Sequence, residues 1–89
     1  VKPEKAFIRA WNLLVSKRQR YQASLKRTAD TTDNTLLRYR AAELSRFLDE
    51  IGVIKEFDYA LSLAVLEKIE VTPQGKLTVC FLGGIKLTM

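Results

Sequence analysis

The apolar residues of this chain change their period once. Up to about Leu66 they recur every three or four residues; from about Lys68 they alternate with polar neighbours. A period near 3.6 buries one stripe of a helix, whereas a period of two buries one face of a strand. The chain is therefore expected to be α+β, with helices first and a small sheet last.

The first helix is expected from about Pro3 to Arg27. Pro3 suits a first turn, where its missing N–H is no loss, and Glu4 favours the positive end of the helix dipole. Phe7, Trp11, Leu14, Arg18, Tyr21 and Leu25 follow at alternating spacings of four and three, a heptad seam with one charged member. Ile8 and Val15 widen the stripe in its first half. Beyond Val15 the helix turns strongly polar, so its second half is expected to project from the core. Thr28 to Asn34 reads as a break, because Thr, Asp and Asn bond their own backbone. Asp33 or Asn34 is then the cap of a second helix, about Thr35 to Ile51, with Leu37, Ala41, Leu44, Leu48 and Ile51 in its seam. Gly52 ends it. Two such helices joined by a short polar turn make an antiparallel hairpin.

A third helix is expected over about Phe57 to Glu67. Phe57, Ala60, Leu61, Ala64, Val65 and Leu66 make it apolar on more than one face, as befits the most buried helix. Three strands follow, at about Lys68 to Thr72, Leu77 to Leu82 and Ile85 to Met89. Pro73-Gln74-Gly75-Lys76 and Gly83-Gly84 supply the turns of a meander. The expected organisation is one unit: a helical hairpin over 1–52, a third helix over 53–67, and an antiparallel β-meander over 68–89, packed together.

Composition narrows the chemistry. With 89 residues the chain makes one domain, and 47% hydrophobic residues are enough for a core. There is no histidine and a single cysteine, Cys80. That removes the commonest acid–base and metal-binding side chain, any internal disulfide, and the partner that activates a thiolate. Cys80, in a strand, reads as a small buried residue. Asp49/Glu50 and Glu67/Glu70 match no ligand loop, and Gly83-Gly84 lacks the further glycines of a dinucleotide loop. No apolar run is long enough for a bilayer, and the polar, basic start has no signal-peptide core. A reducing, cytoplasmic setting is expected, with no membrane partner, cofactor or small-molecule substrate. Val1 in place of Met points to a segment of a longer protein.

Charge is the strongest functional signal. Residues 1–27 hold eight cations against one acid, Glu4, whereas 28–52 hold five acids against three arginines and 53–89 balance. A basic segment beside neutral ones suggests a surface for a polyanion, or a solvated helix face paired with the acidic middle. Lys17-Arg18-Gln19-Arg20-Tyr21 is its densest part. Lys and Arg neutralise phosphates, and Arg also reaches base edges. The DNA-binding candidates are Arg9, Lys17, Arg18, Arg20, Lys26 and Arg27, joined by Arg38 and Arg40 if the two helices lie side by side.

Several segments together resemble one family. Leu66-Glu67-Lys68-Ile69-Glu70-Val71, Pro73-Gln74-Gly75-Lys76-Leu77-Thr78-Val79 and Phe81-Leu82-Gly83-Gly84 are similar to the closing strands of large serine site-specific DNA recombinases. Ala6-Phe7-Ile8-Arg9-Ala10-Trp11-Asn12-Leu13-Leu14-Val15 resembles the helix after that family's zinc-ribbon cysteines, and Leu36-Leu37-Arg38-Tyr39-Arg40-Ala41 its next helix. The resemblance implies a non-catalytic C-terminal region of an enzyme that integrates or excises mobile DNA. It implies double-stranded DNA and other recombinase subunits as partners, with a coiled-coil segment that controls synapsis. None of Ser16, Ser24, Ser45 and Ser62 lies in the family's nucleophile motif, so no catalytic residue carries over. Lone Cys80 does not match the zinc-ligand pairs, so any zinc belongs upstream. The alternative is a helical protein-interaction module without DNA contact, anchored by Trp11 or Tyr21.

Overall fold

The computed structural model describes residues 2–89. Four helices precede three strands: α1 (Pro3–Ser16), α2 (Arg18–Thr31), α3 (Thr35–Glu50), α4 (Tyr59–Val65), β1 (Leu66–Val71), β2 (Leu77–Phe81) and β3 (Lys86–Thr88). The strands form an antiparallel meander in the order β1-β2-β3. The architecture is α+β, with helices on one face of a small sheet, as the change of period requires.

One correction reshapes the helical half. The long first helix is two helices, broken at Lys17, whose φ of −115° and ψ of 36° leave the helical region. Ser16 Oγ donates to the Leu13 carbonyl at 2.8 Å, in the last turn before the break. Such back-bonding weakens and bends a helix end. Packing completes the explanation. α1 packs on β2, with Phe7 and Trp11 against Phe81, whereas α2 packs on α3 and sets Leu25 beside Ala41 and the Gly83 turn. One straight rod cannot satisfy both directions. The polar second half therefore does not project; α2 lies along α3 and extends to Thr31, further than its polarity suggested. The hairpin is α2–α3, not 1–52.

α3 starts where expected. Asn34 is its cap, with Oδ1 accepting from the Leu37 N–H at 3.0 Å. Gly52 turns the chain out after Ile51 with φ +69°. Arg38 closes the other side of the α2–α3 turn. Its Nε donates to the Ala29 carbonyl at 3.1 Å and its Nη2 to that of Thr32 at 2.8 Å. Carbonyls at a helix C-terminus lack intrahelical donors, and a guanidinium fork is suited to fill two of them.

The core is built on α1. Phe81 of β2 packs on Phe7 and Trp11, with ring centroids 5.9 and 6.4 Å apart, and Phe57 meets Phe7 edge-on at 5.6 Å. Trp11 Nε1 donates to the Gly52 carbonyl at 2.8 Å, so its buried N–H is satisfied. The most buried helix is thus α1, and not the third helix of the sequence reading. That helix, α4, is only seven residues long and is covered on one side, by Leu61, Ser62 and Val65. Tyr59 and Leu63 are 68% and 65% exposed. Asp58 caps it through the Leu61 N–H at 3.0 Å.

The meander's two turns fall on Pro73–Lys76 and Leu82–Ile85. Gly83 is the tighter of them, with φ +98° and a position against α2 and α3. A Cβ there would lie 3.1 Å from Leu25 Cδ2 and 3.3 Å from Ala41 Cα. Only glycine fits both the backbone angle and the gap.

Candidate functional site

The break at Lys17 gathers the densest charge of the chain. α1 ends there and α2 begins, so Lys17, Arg18, Gln19 and Arg20 line a shallow concave surface with Val15 and Ser16. No side chain caps the N-terminus of α2. The first N–H groups of any helix lack intrahelical acceptors and carry the positive end of its dipole. Three cations thus stand beside a helix end that itself favours anions. Lys17, Arg20, Lys26 and Arg27 are exposed and form no ion pair among the described residues.

The rest of α2 sorts its charges by face. Arg20, Ser24 and Arg27 follow at spacings of four and three, so they share one side, away from the buried Leu25. Lys26 lies on another side and lines the groove between α2 and α3 with Gln22, Ala29, Ala42 and Ser45. A rise of 1.5 Å per residue makes the stripe from Lys17 to Arg27 about 15 Å long. DNA phosphates recur on one strand at a step of 3.4 Å of helix axis. The stripe therefore spans several phosphates.

The other candidates lie elsewhere. Arg9 is exposed on α1, one helix before the break. Arg38 sits at the far end of the hairpin, with its guanidinium engaged by Ala29 and Thr32. Arg40 is half-buried and lines a separate cleft with Leu36, Leu37, Glu67, Gly83 and Gly84. The helices do lie side by side, but antiparallel, so Arg38 and Arg40 fall beside the end of α2 rather than beside Lys17.

One neighbour of the basic cluster was not among the sequence candidates. Arg18 Nε lies 3.5 Å from Asp49 Oδ1, across from the first turn of α2 to the last turn of α3. The seam position of Arg18 in the sequence was the available signal, since a seam residue faces the partner helix. The other acids of α3 are already taken. Arg46 holds Glu43 at 2.6 Å and Glu50 at 2.7 Å, and those two carboxylates push the Arg46 pKa up, Glu43 more strongly.

On the sheet's outer face, Cys80 is fully buried between Lys68 of β1 and Lys86 of β3, its partners in register. Its Sγ lies 3.5 Å from Glu70 Oε1. Burial, then the hydrogen bond to Glu70, pushes the thiol pKa up. The same bond and Lys68 hold the Glu70 carboxyl below its usual range. A thiol in this state is a poor nucleophile. Among the described residues no group of His, Cys, Asp and Glu could hold a metal ion, and no helix is long and apolar enough to cross a membrane.

No family model, curated protein or solved structure matches this chain.

Proposed function

We propose that this chain is a non-catalytic C-terminal region of a large serine recombinase and that it contacts the phosphates of double-stranded DNA. One observation carries the DNA contact: Lys17, Arg18 and Arg20 cluster at the uncapped N-terminus of α2, with Arg27 continuing the exposed side. The recombinase assignment is supported by the residue patterns of the two helices and the closing strands. The role is to help seat the parent enzyme on its DNA, with sequence readout and the cutting and rejoining of strands left to other regions. The α2–α3 hairpin offers helical surface to other subunits in a synapse. Any zinc is held outside this segment, and the setting is the cytoplasm.

The test is binding of the chain to a fluorescent random duplex across a salt series. Each neutralised phosphate contributes about −0.9 to the slope of log K against log salt. Contacts from Lys17, Arg18, Arg20 and Arg27 give a slope of roughly −3 to −4. A flat response, or no binding at low salt, overturns the DNA contact.

A second reading is a protein-interaction module without DNA contact. It is favoured by large apolar side chains left exposed: Leu36 and Tyr39 on α3 at 53% and 62%, and Tyr59 and Leu63 on α4. Trp11, the anchor suggested by sequence, is fully buried and unavailable for that role. Sedimentation across a concentration series separates the readings, because a monomer that binds DNA with a salt slope leaves the interaction module without support.

A further inference from the structure

We infer that Asp49 is an internal competitor of DNA phosphate for Arg18, and so tunes the affinity of the basic cluster. The inference rests on the phosphate-contact reading above. Among the described residues, Arg18 is the one cation of the cluster with a carboxylate already in reach, at 3.5 Å. Both side chains remain open to water, at 46% and 62% exposure. An exposed pair is weak, and at this distance it is looser than a direct charge-assisted hydrogen bond. A phosphate oxygen can therefore displace Asp49 from Arg18. Glu43 and Glu50 cannot take its place, because Arg46 occupies both.

The position of Asp49 follows from the fold. Antiparallel packing sets the last turn of α3, which carries Asp49, against the first turn of α2, which carries Arg18. Binding of DNA then has two parts. Lys17 and Arg20, with no ion pair to break, meet phosphates directly. Arg18 must first leave Asp49, whose negative charge stays within a Debye length of the DNA. Both effects lower affinity, and both disappear when the carboxylate becomes an amide.

The experiment compares the full chain with Asp49→Asn on the same random duplex across salt. The variant is expected to bind roughly threefold to fivefold tighter at low salt, the range an exposed ion pair can supply. Its slope should stay close to that of the wild type, because Arg18 meets a phosphate in both complexes and only the cost of leaving Asp49 is removed. In an Arg18→Gln background, Asp49→Asn should give a much smaller gain. Asp30→Asn removes an equal charge on the far end of α2 and serves as the control. Equal binding by wild type and Asp49→Asn overturns the inference while leaving DNA contact intact. So does a gain that persists undiminished without Arg18, or one matched by Asp30→Asn. Absence of duplex binding by the wild-type chain removes the phosphate-contact reading itself, and this inference with it.

Discussion

Asn12 and Ile54 grip each other through two hydrogen bonds. The Asn12 Nδ2 donates to the Ile54 carbonyl and its Oδ1 accepts from the Ile54 N–H, each at 2.9 Å. One side-chain amide thus stands in for a strand neighbour and satisfies both backbone polar groups of one residue. Beside it, Trp11 binds the Gly52 carbonyl. Consecutive residues of α1 therefore tie down the segment that leaves α3, and fix α3 relative to the sheet.

Asn12→Ala should destabilise the fold by about 2 kcal/mol, because it leaves a partly buried N–H and carbonyl without partners. Asn12→Asp should be no better, since a carboxylate cannot donate to the Ile54 carbonyl. Urea denaturation followed by Trp11 fluorescence measures both. A loss within error of zero for either variant would show that water replaces the amide freely.

Gly83→Ala should cost roughly 2 kcal/mol or more, from the positive φ and the collision with Leu25 and Ala41. Gly84→Ala meets only the φ penalty, since nothing lies within 4 Å of the added methyl. The ordering of the two midpoints in urea is the check: Gly83→Ala lower.

Arg38→Ala should loosen the hairpin turn by about 1 kcal/mol, through the two carbonyls it leaves unbonded. Its effect on the salt slope of duplex binding should be within error of zero. Lysine, whose compact ammonium lacks the planar fork that reaches both carbonyls, should not restore the stability. Amide exchange near Ala29 to Thr32 reports the loosening directly.

Cys80 should resist alkylation at neutral pH until the chain unfolds, because the thiol is buried and its pKa is raised. Labelling rates in increasing urea should follow the unfolding curve. The sign of the pH effect is fixed by the same shift. A thiol whose folded pKa is raised binds more protons in the folded state, so its stabilising contribution is complete below the ordinary thiol pKa. It is lost as the pH climbs from there through the raised value. Cys80→Ala should flatten that alkaline fall.

The fold was legible in sequence wherever local chemistry and long-range packing agree. The turns of the meander, the caps at Asn34 and Gly52, and the seams of Phe7, Trp11, Leu14 and of Ala41, Leu44, Leu48 fall where spacing set them, whereas β1 starts at Leu66, two residues inside the span expected to be helix. The break at Lys17 was hidden because Phe7 to Leu25 keep the heptad rhythm straight across it. Spacing alone does not report that α1 and α2 pack on different partners. The uncovered side of α4 was hidden for a related reason, since apolar composition measures what a helix is able to bury, not what reaches it. Of the basic candidates, Lys17, Arg18 and Arg20 could be grouped by adjacency. The helix-capping use of Arg38 and the link from Arg18 to Asp49 depend on the antiparallel contact of α2 and α3, which adjacency does not encode.

The most direct test of the phosphate contact is duplex binding by a variant with Lys17, Arg18 and Arg20 all changed to Glu, measured across salt beside the wild type. Far-ultraviolet circular dichroism and thermal melts establish that it folds; these side chains are exposed, and acids at the start of α2 suit its dipole. The expected result is affinity reduced at least tenfold at low salt and a slope shallower by roughly 3. Binding and slope equal to the wild type in a folded variant would contradict the claim that this chain meets DNA through the break at Lys17.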